Sequence, residues 1–185
     1  MTEKQAIYYE LLVLRCCRGQ REALEELVTS WERRLFYYIH RLVDDEHDAW
    51  MILQETWVKV LQNINKLHEP RKLPVWLYSI ARNTAISHLR KSYSEKAIFK
   101  YDENISNVED CDSNLSFDNA ERVHYGLGLI SLQHRDVLTL FFLQDLSLEE
   151  IAQTMHVPVG TVKSRLYYAK QALKDVLKKE AGHYE

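Results

Sequence analysis

Apolar residues recur at intervals of three and four along most of the chain, which is the period of an α-helix. In the first 90 residues four such segments predict four helices, and no run there alternates with the period of a strand. The first helix carries a short apolar stripe, Ile7, Leu11 and Leu14, which stops near Gly19. The stripes of the other three are Leu24, Leu27, Trp31, Leu35 and Ile39; Ala49, Ile52, Leu53, Thr56, Trp57, Val60, Leu61 and Ile64; and Trp76, Leu77, Ile80, Ala81, Thr84 and Leu89.

The helical pattern stops at residues 101–116, whose sequence is YDENISNVEDCDSNLS. This segment is rich in Asn, Asp and Ser and sparse in large apolar residues, a composition typical of a linker extended by self-repulsion. We therefore predict an all-α protein of two small helical domains, residues 1–95 and 118–185, joined by an acidic flexible linker over residues 96–117.

The third predicted helix has an unusual outward face. There Met51 and Val58 flank Gln54, and Glu55 and Gln62 lie alongside. Apolar residues beside amides on an outward face favour a docking surface for another protein. From the sequence alone, Met51 and Val58 are equally well explained as residues at the edge of the core.

The C-terminal domain contains the most specific local pattern. Ser147 and Glu150 have the spacing of a capping box, which places the start of a helix at Ser147. That helix ends before Pro158, because a residue that precedes proline disfavours the helical conformation. A second helix follows, longer and basic, and the pair predicts a helix-turn-helix.

The second of these helices carries polar residues away from its apolar stripe. Near its start such side chains can face a DNA major groove, where Lys and Arg read guanine edges and Tyr contacts thymine methyl groups or the backbone. The predicted recognition residues are Thr161, Lys163, Ser164, Arg165, Tyr167 and Tyr168. Lys170 and the lysines beyond it would add phosphate contacts that do not depend on sequence. The alternative is a solvated basic face on an ordinary helical hairpin.

The distribution of charge supports a nucleic-acid partner although the net charge is −3. Residues 70–94 hold five Lys or Arg and no acid, and residues 159–179 hold six against one acid. Residues 101–121 between them hold seven acids and no base. Two compact basic zones in an acidic chain indicate two separate electrostatic footprints.

Composition also narrows the classes of protein. With 5 Gly and 3 Pro, a sandwich or a low-complexity chain is disfavoured, and three cysteines make no disulfide framework and show no zinc spacing. We find no signal peptide and no stretch that could span a bilayer, so we expect a cytoplasmic protein without direct membrane insertion. No catalytic or phosphate-binding motif stands out, so we expect no enzyme, no cofactor, no metal site and no small-molecule substrate.

The C-terminal motif SLEEIA…VPVGTVKSRL…A…QAL resembles region 4 of sigma-70-family factors. In the N-terminal domain, GQREALEELV, LQETWVKVL and LPVWLYSIARNTAISHLRK resemble region 2 of the same family. The spacing is similar to that of the small, two-domain extracytoplasmic-function group. The resemblance covers about residues 10–95 and 118–180, nearly everything outside the predicted linker.

This resemblance implies a promoter-recognition subunit of bacterial RNA polymerase. Region 4 would bind the −35 element, and the polymerase's flap region would be among the partners. Region 2 would dock on the coiled coil of the polymerase's largest subunit through the third helix. The residues implied there are Asp48, Met51, Leu53, Gln54, Glu55 and Val58. An anti-sigma factor is the usual further partner of this group.

Region 2 of the family also recognises and opens the −10 element. A pocket for a flipped base needs stacking surface and amide groups, and the unpaired strand needs basic side chains. The residues that match are Trp76, Arg82, Asn83, Arg90 and Lys91. Trp76 has a stronger alternative as a core residue, given its place on the apolar stripe.

The sequence departs from the family at three places, one of which is Gln20, where an acid commonly follows the glycine. Trp50 and Met51 stand where many relatives carry an acidic pair, and Tyr168 replaces a frequent basic residue. These departures leave room for a sigma-like factor adapted to a different DNA-targeting partner. A second alternative is a signal-receiving regulator with a LuxR-like C-terminal domain, although such a receiver would alternate strands and helices.

Overall fold

The computed structural model describes residues 3–99 and 119–181, with side chains for residues 3–92 and 122–179. Throughout these ranges the secondary structure is helical and contains no strand, which confirms the predicted all-α class. The helices are α1 (Glu3–Cys17), α2 (Arg21–Val43), α3 (Glu46–Asn63), α4 (Leu73–Phe99), α5 (Asn119–Leu129), α6 (Leu132–Leu138), α7 (Leu148–Met155) and α8 (Val159–Ala181). Two 3₁₀ turns, Ile64–Lys66 and Pro70–Lys72, separate α3 from α4, and a π-helical turn, Thr139–Leu143, extends α6. The predicted flexible linker begins at residue 96, but α4 continues through residue 99, and residues 100–117 lie outside the described residues.

Helices α2, α3 and α4 form the core of the N-terminal domain. Helix α2 buries the predicted stripe through Leu27, Trp31, Leu35 and Ile39. Helix α3 begins after Asp45, whose carboxylate accepts a hydrogen bond of 2.8 Å from the backbone N–H of Asp48. That N-cap satisfies one of the amide groups left without a helical partner at the helix start.

Helix α1 buries a different face from its most obvious apolar stripe. Ile7, Leu11 and Leu14 are exposed, whereas the buried residues are Ala6, Tyr9, Leu12, Val13 and Cys16. The aromatic ring of Tyr9 packs 5.6 Å from that of Trp31, measured between ring centroids. A ring of this size gains more from burial than an aliphatic side chain, and its partner lies on another helix. The orientation of α1 was therefore set by packing and not by its own period.

The helix-turn-helix is formed by α7 and α8. The capping box at Ser147 is present in full: its hydroxyl accepts from the backbone N–H of Glu150, and the Glu150 carboxylate accepts from the backbone N–H of Ser147. His156 ends α7 in the left-handed conformation, with φ of 54° and ψ of 47°. Helix α8 starts directly after Pro158 and buries Val162, Leu166 and Ala169.

The two domains pack directly against each other. Helix α7 contacts α4, and α6 contacts α2. The buried apolar residues of both halves belong to one continuous cluster, which runs from Tyr9 in α1 to Ala169 in α8. The C-terminal helices are thus held against the side of the N-terminal domain formed by α2 and α4.

Candidate nucleic-acid interface

Helix α8 presents the predicted recognition residues on its solvent side. Lys163, Ser164 and Lys170 are exposed, and Thr161 and Arg165 are partly exposed. Tyr167 and Tyr168 are 57% and 62% exposed, and their rings meet edge to face with centroids 5.4 Å apart. The buried residues of the opposite face anchor the helix. The arrangement therefore leaves two large rings and several donors available to a partner along one side of α8.

Helix α4 carries the residues predicted to bind the unpaired strand, and the structure places them in different surroundings. Asn83, Arg90 and Lys91 are exposed. Trp76 is partly buried and packs against the hydrophobic core. Arg82 points towards the C-terminal domain, and its side chain is only 18% exposed.

Arg82 belongs to a polar cluster between the domains, here called the Asp136 cluster: Tyr38, Arg82 and Asp136. Asp136 lies in α6 and its side chain is 1% exposed. One carboxylate oxygen, Oδ2, accepts a hydrogen bond of 2.7 Å from Nε of Arg82. The other, Oδ1, accepts one of 2.7 Å from the Tyr38 hydroxyl. Both oxygens of a carboxylate in the C-terminal domain are thus bonded by donors of the N-terminal domain.

Burial has a strong effect on the ionisation of this cluster. Desolvation raises the pKa of the Asp136 carboxyl, while the Arg82 guanidinium and the two hydrogen bonds act in the opposite direction. Desolvation and the Asp136 charge raise the pKa of the Tyr38 hydroxyl well above its ordinary value. Tyr38 therefore remains a hydrogen-bond donor at neutral pH.

Arg135, the neighbour of Asp136, makes a second polar contact between the domains. Its guanidinium donates to the backbone oxygen of Arg41 at 3.2 Å and to the carboxylate of Asp44. It also donates to the backbone oxygen of Gly128 within its own domain at 2.8 Å. Sequence reasoning did not single out Arg135 or Asp136. The signal was available, because an Arg-Asp pair directly before the apolar run 137–143 is an unusual place for two charges.

Two tyrosines of the N-terminal domain complete the contact. The Tyr78 hydroxyl donates to the side-chain oxygen of Gln144, and burial raises the pKa of that hydroxyl. The Tyr37 hydroxyl lies 3.0 Å from Nδ1 of His124. Burial lowers the pKa of His124, so a neutral imidazole faces Tyr37. The interface thus combines apolar packing with several specific polar pairs.

The outward face of α3 is exposed as a continuous surface. Met51 and Val58 are 42% and 52% exposed, which favours a surface position over one in the core. Gln54 and Glu55 are exposed beside them, and Glu55 pairs with Lys59 at 2.6 Å. Leu53 differs, since its side chain is buried in the core and cannot contact a partner directly.

Two further residues define the edge of this α3 surface. The Trp50 ring is exposed and packs on Phe36 of α2, with ring centroids 4.2 Å apart. The Asp48 carboxylate is partly exposed and lies 3.3 Å from Nε2 of His88. An aromatic and aliphatic surface therefore stands where the family resemblance implied an acidic one.

The C-terminal domain also contains an apolar groove of about 580 Å³. Helices α5 and α8 and the π-helical turn line it, with lysines along one edge. Its lining residues are Val123, Leu127, Leu138, Phe142, Leu143, Lys170, Leu173, Lys174, Leu177 and Lys178. An apolar floor with a basic edge is a surface suited to an amphipathic helix that carries acids.

The described residues contain no group of His, Cys, Asp or Glu that could hold a metal ion. Within the same ranges, no helix is both long enough and apolar enough to cross a bilayer.

Comparison with known proteins identifies two family regions in the chain. Residues 27–94 match the family model of sigma-70 region 2, and residues 127–173 match that of sigma-70 region 4. The chain is 30% identical to the RNA polymerase sigma-H factor of Pseudomonas aeruginosa over 177 residues, which cover 90% of this chain and 92% of that protein. It is 26% identical over 175 residues to the extracytoplasmic-function sigma factor SigW of Bacillus subtilis, covering 87% of this chain and 92% of that protein.

Solved structures of low sequence identity share the fold. The sigma factor RpoE of Bartonella quintana, in complex with the anti-sigma factor NepR, has a TM-score of 0.69 at 21% identity, covering 83% of this chain and 96% of that chain. CnrH in complex with the cytosolic domain of CnrY has a TM-score of 0.68 at 19% identity, covering 91% and 96%. Both family regions are present in the expected order, and the match to the Pseudomonas protein extends over nearly the whole chain. The chain therefore belongs to the extracytoplasmic-function group of the sigma-70 family of RNA polymerase sigma factors.

Proposed function

We propose that this sigma factor directs bacterial RNA polymerase to promoters by using α8 to read the −35 duplex and α4 to bind the opened −10 strand. The observation that carries the proposal is that α8 buries one face in the C-terminal domain and exposes basic and aromatic residues on the other. Binding is the whole of its action, and the polymerase supplies the catalysis.

The start of α8 provides the sequence-reading side chains. Lys163 and Arg165 are suited to the acceptor edge of guanine, and Tyr167 and Tyr168 to thymine methyl groups or the sugar-phosphate backbone. Thr161 and Ser164 lie in the first two turns of α8, where their hydroxyl groups could donate to a phosphate. Lys170 and the lysines that follow contact phosphates without regard to sequence.

Helix α4 provides contacts for single-stranded DNA. Asn83 can hydrogen-bond the edge of an unstacked base, and Arg90 and Lys91 attract the backbone of the strand. Arg82 would join them once it is released from Asp136. Trp76, which packs against the core, would supply stacking surface only through its exposed edge.

Protein contacts hold this sigma factor on the polymerase. The α3 surface of Met51, Gln54, Glu55 and Val58, with Asp48 at its edge, is proposed to dock on the coiled coil of the largest subunit. Exposed apolar and aromatic residues in such a patch provide most of the affinity of an interface. Leu53 would act by holding α3 in place from beneath.

The apolar groove of the C-terminal domain is proposed as the contact for the flap region of the polymerase. Its floor of Val123, Leu127 and Leu173 could receive the apolar face of a helix. We propose that residues 1–95 bind the polymerase coiled coil and the −10 element and that residues 118–185 bind the −35 element. Residues 96–117 are proposed to link the two domains.

An anti-sigma factor is a further proposed partner, supported by the fold that this chain shares with two sigma factors solved in such complexes. Affinity purification of the full chain from its native cell tests this proposal. Recovery of an inhibitory protein that prevents polymerase binding is the expected result. Purification that recovers polymerase subunits alone would contradict it.

The decisive test of the function is run-off transcription. Bacterial core polymerase is combined with a pool of genomic promoter fragments, with and without the full chain. Initiation from a small set of fragments that requires the chain is the expected result, and their common sequence gives the promoter motif. Tight binding to duplex DNA without any effect on core polymerase would instead identify a regulator that acts alone.

A matched pair of variants separates the two DNA contacts in the same assay. Lys163→Ala should reduce discrimination between promoters, because it removes a base-reading donor. Lys174→Ala should weaken all promoters to a similar degree, because it removes a phosphate contact. Equal effects of the two variants on every promoter would show that α8 does not read the −35 sequence as proposed.

A further inference from the structure

The Asp136 cluster brings the C-terminal domain onto a residue that the proposed function assigns to DNA. Arg82 and Asp136 are separated by 54 positions in sequence, and their ion pair joins the two domains. The cluster therefore exists only while the domains are packed together. Exposed neighbours of Arg82 on α4, such as Asn83 and Arg90, are not covered in this way.

The Asp136 carboxylate occupies the position that a phosphate would take beside Arg82. It is a compact anion with two acceptor oxygens, and it receives the guanidinium N–H in a charge-assisted hydrogen bond. Arg82 cannot give the same N–H to a DNA phosphate or base at the same time. Asp136 and DNA would therefore compete for the same N–H donor, the one on Nε of Arg82.

The energetics of the cluster allow it to open. Asp136 is almost completely buried, so its charge is held against a desolvation penalty that Arg82 and Tyr38 only partly offset. Separation of the domains would break both hydrogen bonds and give water access to the Asp136 carboxylate, which reduces that penalty. Contacts with polymerase or DNA could therefore shift the chain from the packed to the separated arrangement.

From this geometry we propose that Asp136 is an internal competitor of the −10 strand, which occupies Nε of Arg82 and holds that side chain between the domains until the C-terminal domain moves away from α4. The proposal rests on the assignment of Arg82 to single-stranded DNA under the proposed function. It adds a regulation of that site by a residue of the other domain. Arg135, through Asp44 and the backbone of Arg41, supports the same packed arrangement.

Substitution of Asp136 tests the proposal in the full chain. In Asp136→Ala, the Arg82 guanidinium and the Tyr38 hydroxyl lose their acceptor in a site that water enters poorly, so the packed arrangement is disfavoured. Ala is a better helix former than Asp, and therefore α6 itself should persist. Far-UV circular dichroism establishes that the helical content is retained.

Two measurements are made on each variant. Small-angle X-ray scattering gives the radius of gyration, which for a compact chain of 185 residues is about 16 Å. Fluorescence anisotropy gives the affinity for a labelled pool of random-sequence single-stranded DNA. For Asp136→Ala we expect a larger radius of gyration and an increase in affinity of about threefold to tenfold, since the population able to bind rises.

Three further variants act as controls. Glu149→Ala removes an exposed acid from the same domain, so it measures the effect of charge alone, and we expect neither readout to change appreciably. Tyr38→Phe removes one donor to Asp136 from the other domain and should change both readouts in the same direction, less strongly. Addition of Arg82→Ala to Asp136→Ala should abolish the gain in affinity.

The outcomes distinguish this proposal from the proposed function. An unchanged radius of gyration in both Asp136→Ala and Tyr38→Phe would overturn the role of Asp136 in holding the domains together. A larger radius without any gain in affinity would overturn the competition and would also remove Arg82 from the −10 contact. A gain in affinity that persists when Arg82→Ala is added to Asp136→Ala would remove Arg82 from the −10 contact. It would leave the role of Asp136 in holding the domains together intact.

Discussion

The two proposed DNA-binding surfaces differ in whether the other domain contacts their DNA-binding side chains. On α8 most of the proposed recognition side chains face solvent, with Thr161 and Arg165 partly exposed, and the buried residues behind them belong to the same domain. On α4 the surface is divided: Asn83 and Arg90 are exposed, whereas Arg82 is paired with a carboxylate of the other domain. The difference teaches that a DNA-binding surface can be complete within one domain, or can depend on where a second domain lies.

Arg82→Ala should show the largest effect of the substitutions that address this comparison. The variant leaves Asp136 as a buried charge without its cation, and we expect the packed chain to lose about 3 kcal/mol of stability. Urea unfolding followed by far-UV circular dichroism measures the loss. Arg90→Ala, on the exposed part of the same helix, should stay within about 0.5 kcal/mol of the parent. Similar losses of unfolding free energy in the two variants would show that Arg82 contributes no more to packing than the exposed Arg90.

Lys163→Ala should have the next largest effect, and on a different quantity. We expect a loss of about 1–3 kcal/mol in discrimination between the cognate promoter and one altered in its −35 element, because a base-reading donor is removed. The stability of the chain should not change, since Lys163 is exposed. Arg165→Ala should act in the same direction. Competition binding of the polymerase complex to the two promoters provides the measurement, and unchanged discrimination in both variants would contradict the assignment of α8.

Ser147→Ala should produce an effect of about 1 kcal/mol on the unfolding of the chain, because the capping box of α7 is lost. The substitution does not touch the exposed face of α8, so promoter discrimination should persist at permissive temperature. Thermal unfolding by circular dichroism and the competition assay together test this separation. Ser164→Ala, an exposed serine within α8, is the matched control for stability.

Lys174→Ala should have the smallest effect. A single phosphate contact changes the salt dependence of binding by about one unit in the logarithmic slope, with little change in sequence preference. Titration of promoter binding over a range of salt concentrations measures the slope. A changed preference for one promoter would place Lys174 among the base-reading residues instead.

Much of the fold could be predicted because it depends on local interactions. The periods of α2, α3 and α4 predicted most of their buried residues, and the capping box with the Pro158 break predicted the helix-turn-helix. Leu61 is an exception, since the period places it on the buried stripe of α3 and it is 44% exposed. The exposed face of α8 followed from the same period, since its stripe of Val162, Leu166 and Ala169 is buried. These features are fixed by residues three or four positions apart in one helix.

The remaining features required partners distant in sequence. Helix α1 has apolar residues on more than one face, and the choice of Tyr9 over Leu11 as a buried residue depended on Trp31 in α2. Leu53 lies beside Gln54 in sequence, yet only the packing of α3 separates a core residue from a surface residue. The partner of Arg82 could not be deduced, because no local pattern relates it to Asp136.

The sequence by itself determined the helical class, the helix-turn-helix and the family, since these depend on period, capping and motif order. The tertiary structure decided that the two domains pack together and that Tyr38, Arg82 and Asp136 meet between them. The physical reason is that a helix records in its own residues which face is apolar, whereas an ion pair between domains depends on two groups whose separation is set only when both cores come into contact.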